Sequence, residues 1–212
     1  MTGDRILPDD LDAVPRQVAL AFRRDPSGRT YLLRQHAAYP FHVGRALYLP
    51  GDPGGFCTTY LQSCSGGIFQ RDRLGIAVHA EAGAGVHVTT SASTVVHSME
   101  DGDAAQSIVL DAGEDAVLEY LPDPQILFPR SRLANRLLIR AHPSATVVAC
   151  DSFLPHDPAA AGEPFDWLRS DTRVEDESGA LLAADRFAVT GADAMAARVG
   201  IHGAYRMQAT LL

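Results

Sequence analysis

Apolar side chains along this chain recur at every second position, in short runs that each stop at a turn residue. The runs "RQVALAF", "TYLLRQH", "RALYLP", "CTTYLQSC" and "LGIAVHAE" are rich in Val, Leu, Tyr and Thr. Each ends near Gly, Pro, Asp or Ser, which is the grammar of strands and tight turns. Helical spacing is hard to find before Ala192. Residues 1–14 hold four Asp and no periodicity, so they read as a flexible tail ahead of one β domain over residues 15–212.

A repeat organises the middle of the chain. "GIAVHAEAGAGVHVTT" from Gly75, "AQSIVLDAGEDAVLEY" from Ala105 and "NRLLIRAHPSATVVAC" from Asn135 start 30 residues apart and align without gaps. Each unit is a strand, a short acidic or Gly/Pro turn, and a second strand. In that alignment Val78, Ile108 and Leu138 share one register position, and Val88, Leu118 and Val148 another. Self-similar units bury a shared face by stacking. The pattern therefore predicts an all-β scaffold of stacked hairpins, close to a β-helix, with an ordinary sandwich as the alternative. Beyond Ser152, a Pro/Ala/Gly loop precedes a hairpin that turns at Asp176 to Gly179. A short helix is expected within Gly191 to Gly200, then a strand in "GAYRMQATLL". Two terminal leucines suggest a shortened chain or one that packs against a partner.

Composition narrows the function. The 212-residue chain carries a net charge of −8, which disfavours a nucleic-acid partner. Its 18 basic residues are all Arg, so lysine Schiff bases and a P-loop lysine are excluded. Cys57, Cys64 and Cys150 form no CxxC pair and imply no disulfide framework. The start Met-Thr-Gly-Asp-Arg is not an apolar leader and no long apolar run follows, which predicts a cytoplasmic protein without a membrane span.

Candidate chemistry is sparse. "SGGIFQRD" lacks the third glycine and the helix of a dinucleotide fingerprint and reads as a turn, with Asp72 a turn or surface charge. His79 and His87 flank one repeat turn and His97 follows, but no ligand spacing supports a high-affinity metal site. There is no G-x-S-x-G elbow. Asp101, Asp103 and Glu175 to Glu177 fall in turns. Glu119 is different, because alternation puts it on one strand face with Val117 and Leu121, at an edge or in a wet passage. The repeat register places Thr89 over it, with Thr90 adjacent. A ligand-binding or hydrolytic enzyme on a β fold, or a β interaction module, stands beside a non-catalytic scaffold.

"GGIFQRDRLGIAVHAEAGAGVHVTTSAST" resembles the core of the urease accessory proteins called UreD (UreH in some bacteria). "GEDAVLEYLPDPQILFPRSRL" is similar to that family's Leu-Glu-Trp-Leu-Pro stretch, and "RALYLPGDPGGFCTTYLQSCSGG" to the approach to its glycine pair. Gln70-Arg71, Tyr120 and Pro124 depart from the family pattern, and the family runs further at the C-terminus. The resemblance implies a non-enzymatic, mainly β chaperone that binds UreF, through it the GTPase UreG, and urease itself. Its cargo would be nickel in transit rather than a tightly bound cofactor. Asp72, Thr89, Thr90 and Glu119 match family motif positions and are the nickel-route candidates this resemblance implies.

Overall fold

The computed structural model describes residues 14–196, 198–199 and 203–212. Strands take up 54% of the described residues and helix 3%. The tail expected over residues 1–14 lies, up to residue 13, outside the described residues.

Six strands form three stacked units. These are β5 (Arg73–Ala80) with β6 (Gly85–Thr90), β8 (Ala104–Ala112) with β9 (Val117–Tyr120), and β11 (Arg132–Ala141) with β12 (Thr146–Pro155). Within a unit the strands do not pair with each other, so the expected hairpins are arches. β5, β8 and β11 run parallel in one sheet, and β6, β9 and β12 run parallel in the facing sheet. Alternating apolar residues of both strands can then point into one core, which a two-stranded hairpin could not cover alone.

The first sheet has the order β14-β13-β11-β8-β5-β1-β2, adding β1 (Arg16–Arg24), β2 (Thr30–Ala37), β13 (Trp167–Glu175) and β14 (Leu181–Thr190). The second has the order β3-β4-β6-β9-β12-β10-β7, adding β3 (Phe41–Val43), β4 (Cys57–Ser63), β7 (Thr94–Val96) and β10 (Gln125–Leu127). β15 (Gln208–Leu211) pairs with β12. β13 and β14 are a true antiparallel hairpin, and the Asp176 carboxylate accepts from Ser178 N and Ala180 N in the expected turn. The expected helix is the short α1 (Gly191–Met195), where the Thr190 hydroxyl accepts from Asp193 N.

The register departs from a uniform 30-residue step. Ile76 lies beside Ile108 and Ile108 beside Leu137; Val86 lies beside Leu118 and Leu118 beside Val147. The return from β6 to β8, which contains β7, is longer than the return from β9 to β11, which contains β10. An even shift keeps side chains on their face, but an odd one reverses them. Leu137 and Val147 therefore turn inward where Leu138 and Val148 were expected. The core falls into two main clusters, one around Val78, Leu110, Val86 and Leu118, the other around Met99, Leu127, Leu133 and Phe165, with a small third at Ala105 and Ala134.

Candidate functional site: a polar cavity between the sheets

A cavity of about 300 Å³ lies between the sheets where the two clusters meet. Ile108 of the first cluster and Ile68 and Leu74 of the second line it. Ser63, Gly66 and Gly67, and Ser91, Ala92 and Ser93, add small residues to the lining. Both glycines of "SGG" have positive φ, 84° at Gly66 and 145° at Gly67, so the glycine pair is a turn, as expected. A Cβ on Gly67 would sit 2.3 Å from the Val95 carbonyl oxygen, which leaves no room for a side chain there.

A ladder of polar side chains interrupts the apolar interior. Gln106, Asn135 and Ser170 occupy adjacent positions across β8, β11 and β13. Asn135 Nδ2 donates to Gln125 Oε1 at 2.8 Å, and Gln125 Nε2 donates to Gln106 Oε1 at 3.1 Å. Asn135 is 4% exposed, and its Oδ1 is buried with no partner among the described residues. Ser170 Oγ donates to Asp151 Oδ2 at 2.7 Å, joining the first sheet to β12 of the second. Burial pushes the Asp151 carboxyl above the usual carboxylate range; the Ser170 bond opposes this and the charge of Asp185 adds to it. Burial likewise pushes the Tyr120 phenol up, with Asp151 nearby reinforcing the shift.

The four residues singled out from the sequence do not gather. Asp72 closes a surface turn: its carboxylate accepts from Phe69 N at 2.8 Å, between the ion pairs Arg71–Asp101 and Arg73–Asp103. Thr89 does not stack over Glu119. The β6–β9 ladder sets His87 beside Glu119, and His87 Nδ1 lies 2.8 Å from Glu119 Oε2. Thr89 lies one step on, donating to the Leu121 carbonyl at 2.6 Å. Val86, Val88, Leu118 and Tyr120 alternate with these residues and fill the core, so His87, Thr89 and Glu119 lie on the opposite face. Thr90 alone of the four lines the cavity, and its hydroxyl accepts from Asp123 N at 2.9 Å.

His97 is engaged outside the polar ladder. His97 stacks on Phe69 with ring centroids 4.3 Å apart, and its Nε2 is 3.1 Å from the Gly66 carbonyl oxygen. Among the described residues no three His, Cys, Asp or Glu side chains come close enough to hold a metal ion. No helix there is long and apolar enough to cross a membrane.

Sequence reasoning missed the polar ladder and Asp151. The signal was present, because Gln106 and Asn135 interrupt "AAQSIVL" and "LANRLLI" at positions that are otherwise core. A uniform step of 30 sets Gln106 against Arg136 instead, which hides the match.

The UreD urease accessory protein family model matches residues 15–212. The chain is 45% identical over 197 residues to a Urease accessory protein UreD 1 of Pseudomonas syringae pv. syringae, covering 93% of this chain and 69% of that protein. It is 44% identical to a second protein of that name from Pseudomonas syringae pv. tomato, covering 91% of this chain and 68% of that one. A third, from Methylorubrum extorquens, is 41% identical over 82% of this chain and 59% of its own length. With the model match spanning nearly the whole length, the chain belongs to the UreD urease accessory protein family.

Proposed function

We propose that this chain is a non-catalytic urease maturation factor, acting in the cytoplasm. It binds UreF, recruits UreG through UreF, and provides an interior passage for nickel on its way to urease. Membership of the urease accessory family supports the role in urease maturation. The observation that supports the passage is the polar-lined cavity in a core that packing alone would make apolar. Oxygen and amide groups that hold an ion weakly suit a path that the ion must also leave. Of the four motif residues, Thr90 is carried forward as part of the lining, while Asp72, Thr89 and Glu119 stand outside it.

The test is complementation of a urease-positive host whose own UreD gene is deleted. Expression of this chain is expected to restore urease activity and the nickel content of purified urease, and to bring UreF down with the tagged chain. Apo-urease in the presence of well-expressed chain, or no UreF in the pull-down, would overturn the proposal. In the same host Thr90→Val is expected to lower the rate of nickel loading several-fold more than Thr89→Val does.

A further inference from the structure

We infer that the outer face of β11, β13 and β14 is a docking surface for an extended acidic protein segment with carboxylates at every second residue. The observation behind it is a line of arginines. Leu133 and Leu137 of β11, Leu168 of β13 and Val189 of β14 pack inward, so the residues alternating with them face outward. The strand register sets these outward residues on five successive rungs across the sheet. Arg132 lies on the first rung, Arg169 on the second, Arg186 on the third, Arg173 on the fourth and Arg140 on the fifth. Neighbouring rungs are two residues apart, about 6.7 Å, so the line runs about 27 Å. An extended peptide of nine residues has the same length and repeats its side chains on one face at the same spacing.

The carboxylates of this face lie beneath the guanidinium groups. The Asp171 side chain is 4% exposed, while Arg173 and Arg186, which both bond to it, are each 37% exposed. One buried charge thus holds two guanidinium forks in place and leaves the group with an outward positive excess. Arg140 is 3.6 Å from Glu175 and is the more exposed of the two. Arg132 bonds to Asp166. Arg169 lies over the Trp167 ring, 4.4 Å from its centroid, and has no carboxylate partner among the described residues. Trp and Arg are the residue types that most often carry binding energy at protein interfaces.

Charge and size select the occupant. Three strands span roughly 10 Å, so the line covers roughly 300 Å², well short of the ~800 Å² per partner of a standard globular interface. It suits one strand of peptide. A long polyanion such as nucleic acid would run beyond the line and meet the net charge of −8 of the chain. The inference stands apart from the interior passage proposed above, and its test does not involve urease.

The probe is a dye-labelled nine-residue peptide that alternates Glu and Thr, with Glu at both ends. It is titrated with the full chain at low salt and read by fluorescence anisotropy. It is expected to bind about fivefold or more tightly than a peptide of the same composition with its Glu residues in one block, and to weaken as NaCl is raised. Arg169→Glu and Arg140→Glu, on different rungs, should each weaken binding about tenfold. Arg24→Glu, whose guanidinium bonds to the Gly28 carbonyl in the β1–β2 turn, should change nothing. Far-UV circular dichroism confirms that each variant is folded. Equal affinity for the two peptides, wild-type affinity in either rung variant, or an equal loss in Arg24→Glu overturns the surface. Displacement of the peptide by an equal concentration of a single-stranded oligonucleotide also overturns it, in favour of a general polyanion sink. Residues 1–13 include Asp4, Asp9, Asp10 and Asp12, and Val14 packs with Trp167 on Ala105 and Ala134. Changing all four Asp to Asn should leave peptide affinity as it is. A gain of about tenfold would make the chain's own acidic stretch the occupant and overturn a separate partner.

Discussion

Single residues here are governed by which side of a sheet they face. Cys57 is fully buried in β4, and burial pushes its thiol above the ordinary range. Cys64, just after β4, is exposed. Since the thiolate is the reactive form, raising a thiol's pKa lowers the reactive fraction at any pH below it. Iodoacetamide at pH 8 is expected to alkylate Cys64 readily and Cys57 about a thousandfold more slowly or less, through unfolding alone. Peptide mass spectrometry after timed quenching checks this, and comparable rates would mean that β4 is not sealed. Asp171 shows the same logic with charge. Its carboxylate is almost fully buried yet accepts from both Arg173 and Arg186. Asp72, which also lies between two arginines, is by contrast the turn charge that its sequence suggests. Nothing in "SDTRV" distinguishes Asp171 from a surface charge, because its second arginine arrives from the far strand of the β13–β14 hairpin.

At the scale of elements, period-two alternation was enough to find the long strands, and turn and capping residues to find the β13–β14 turn and the short helix. The run "RALYLP" instead forms only an isolated bridge between Leu47 and Thr58, and the three-residue strands β3, β7 and β10 were not anticipated. Alternation could not say whether a strand-turn-strand unit closes as a hairpin or opens as an arch, because both give the same local pattern. Loop lengths between units then decided the register, and with it which polar residues face inward. Thr90, singled out through its motif, does line the cavity; Asn135 and Asp151 were not singled out, since a one-residue slip exchanges inside and outside. Leu118 and Glu119 make the consequence measurable on one strand. Leu118→Ala removes a fully buried side chain and is expected to destabilise by about 2–5 kcal/mol. Glu119→Ala loses a half-buried contact with His87 and should cost about 1 kcal/mol or less. Urea denaturation of both variants checks the pair, and equal losses would contradict the facing of β9. Gly67→Ala, with positive φ and a backbone oxygen in the way, should cost about 1–3 kcal/mol by the same measurement.

For the whole molecule, stacking makes stability a property of neighbours. Each unit touches mainly the units before and after it, so interior units are held on two sides and terminal ones on one. β8 lies between β5 and β11, and β9 between β6 and β12. At the other extreme, among the described residues β14 pairs only with β13, and exposes Leu181 and Leu182, while β15 pairs only with β12 over four residues. The cavity sits among the interior units, so its geometry is expected to survive fluctuations that open the final ones. Native-state hydrogen exchange followed by mass spectrometry should therefore show a gradient. Amides of β8, β9 and β11 should exchange slowest, and those of β14 and β15 should exchange faster by two orders of magnitude or so, through local opening. A single rate limit shared by all strands would mean that the sheets unfold as one unit. Local opening would then offer no route for a partner to reach the edge strands while the polar interior stays intact.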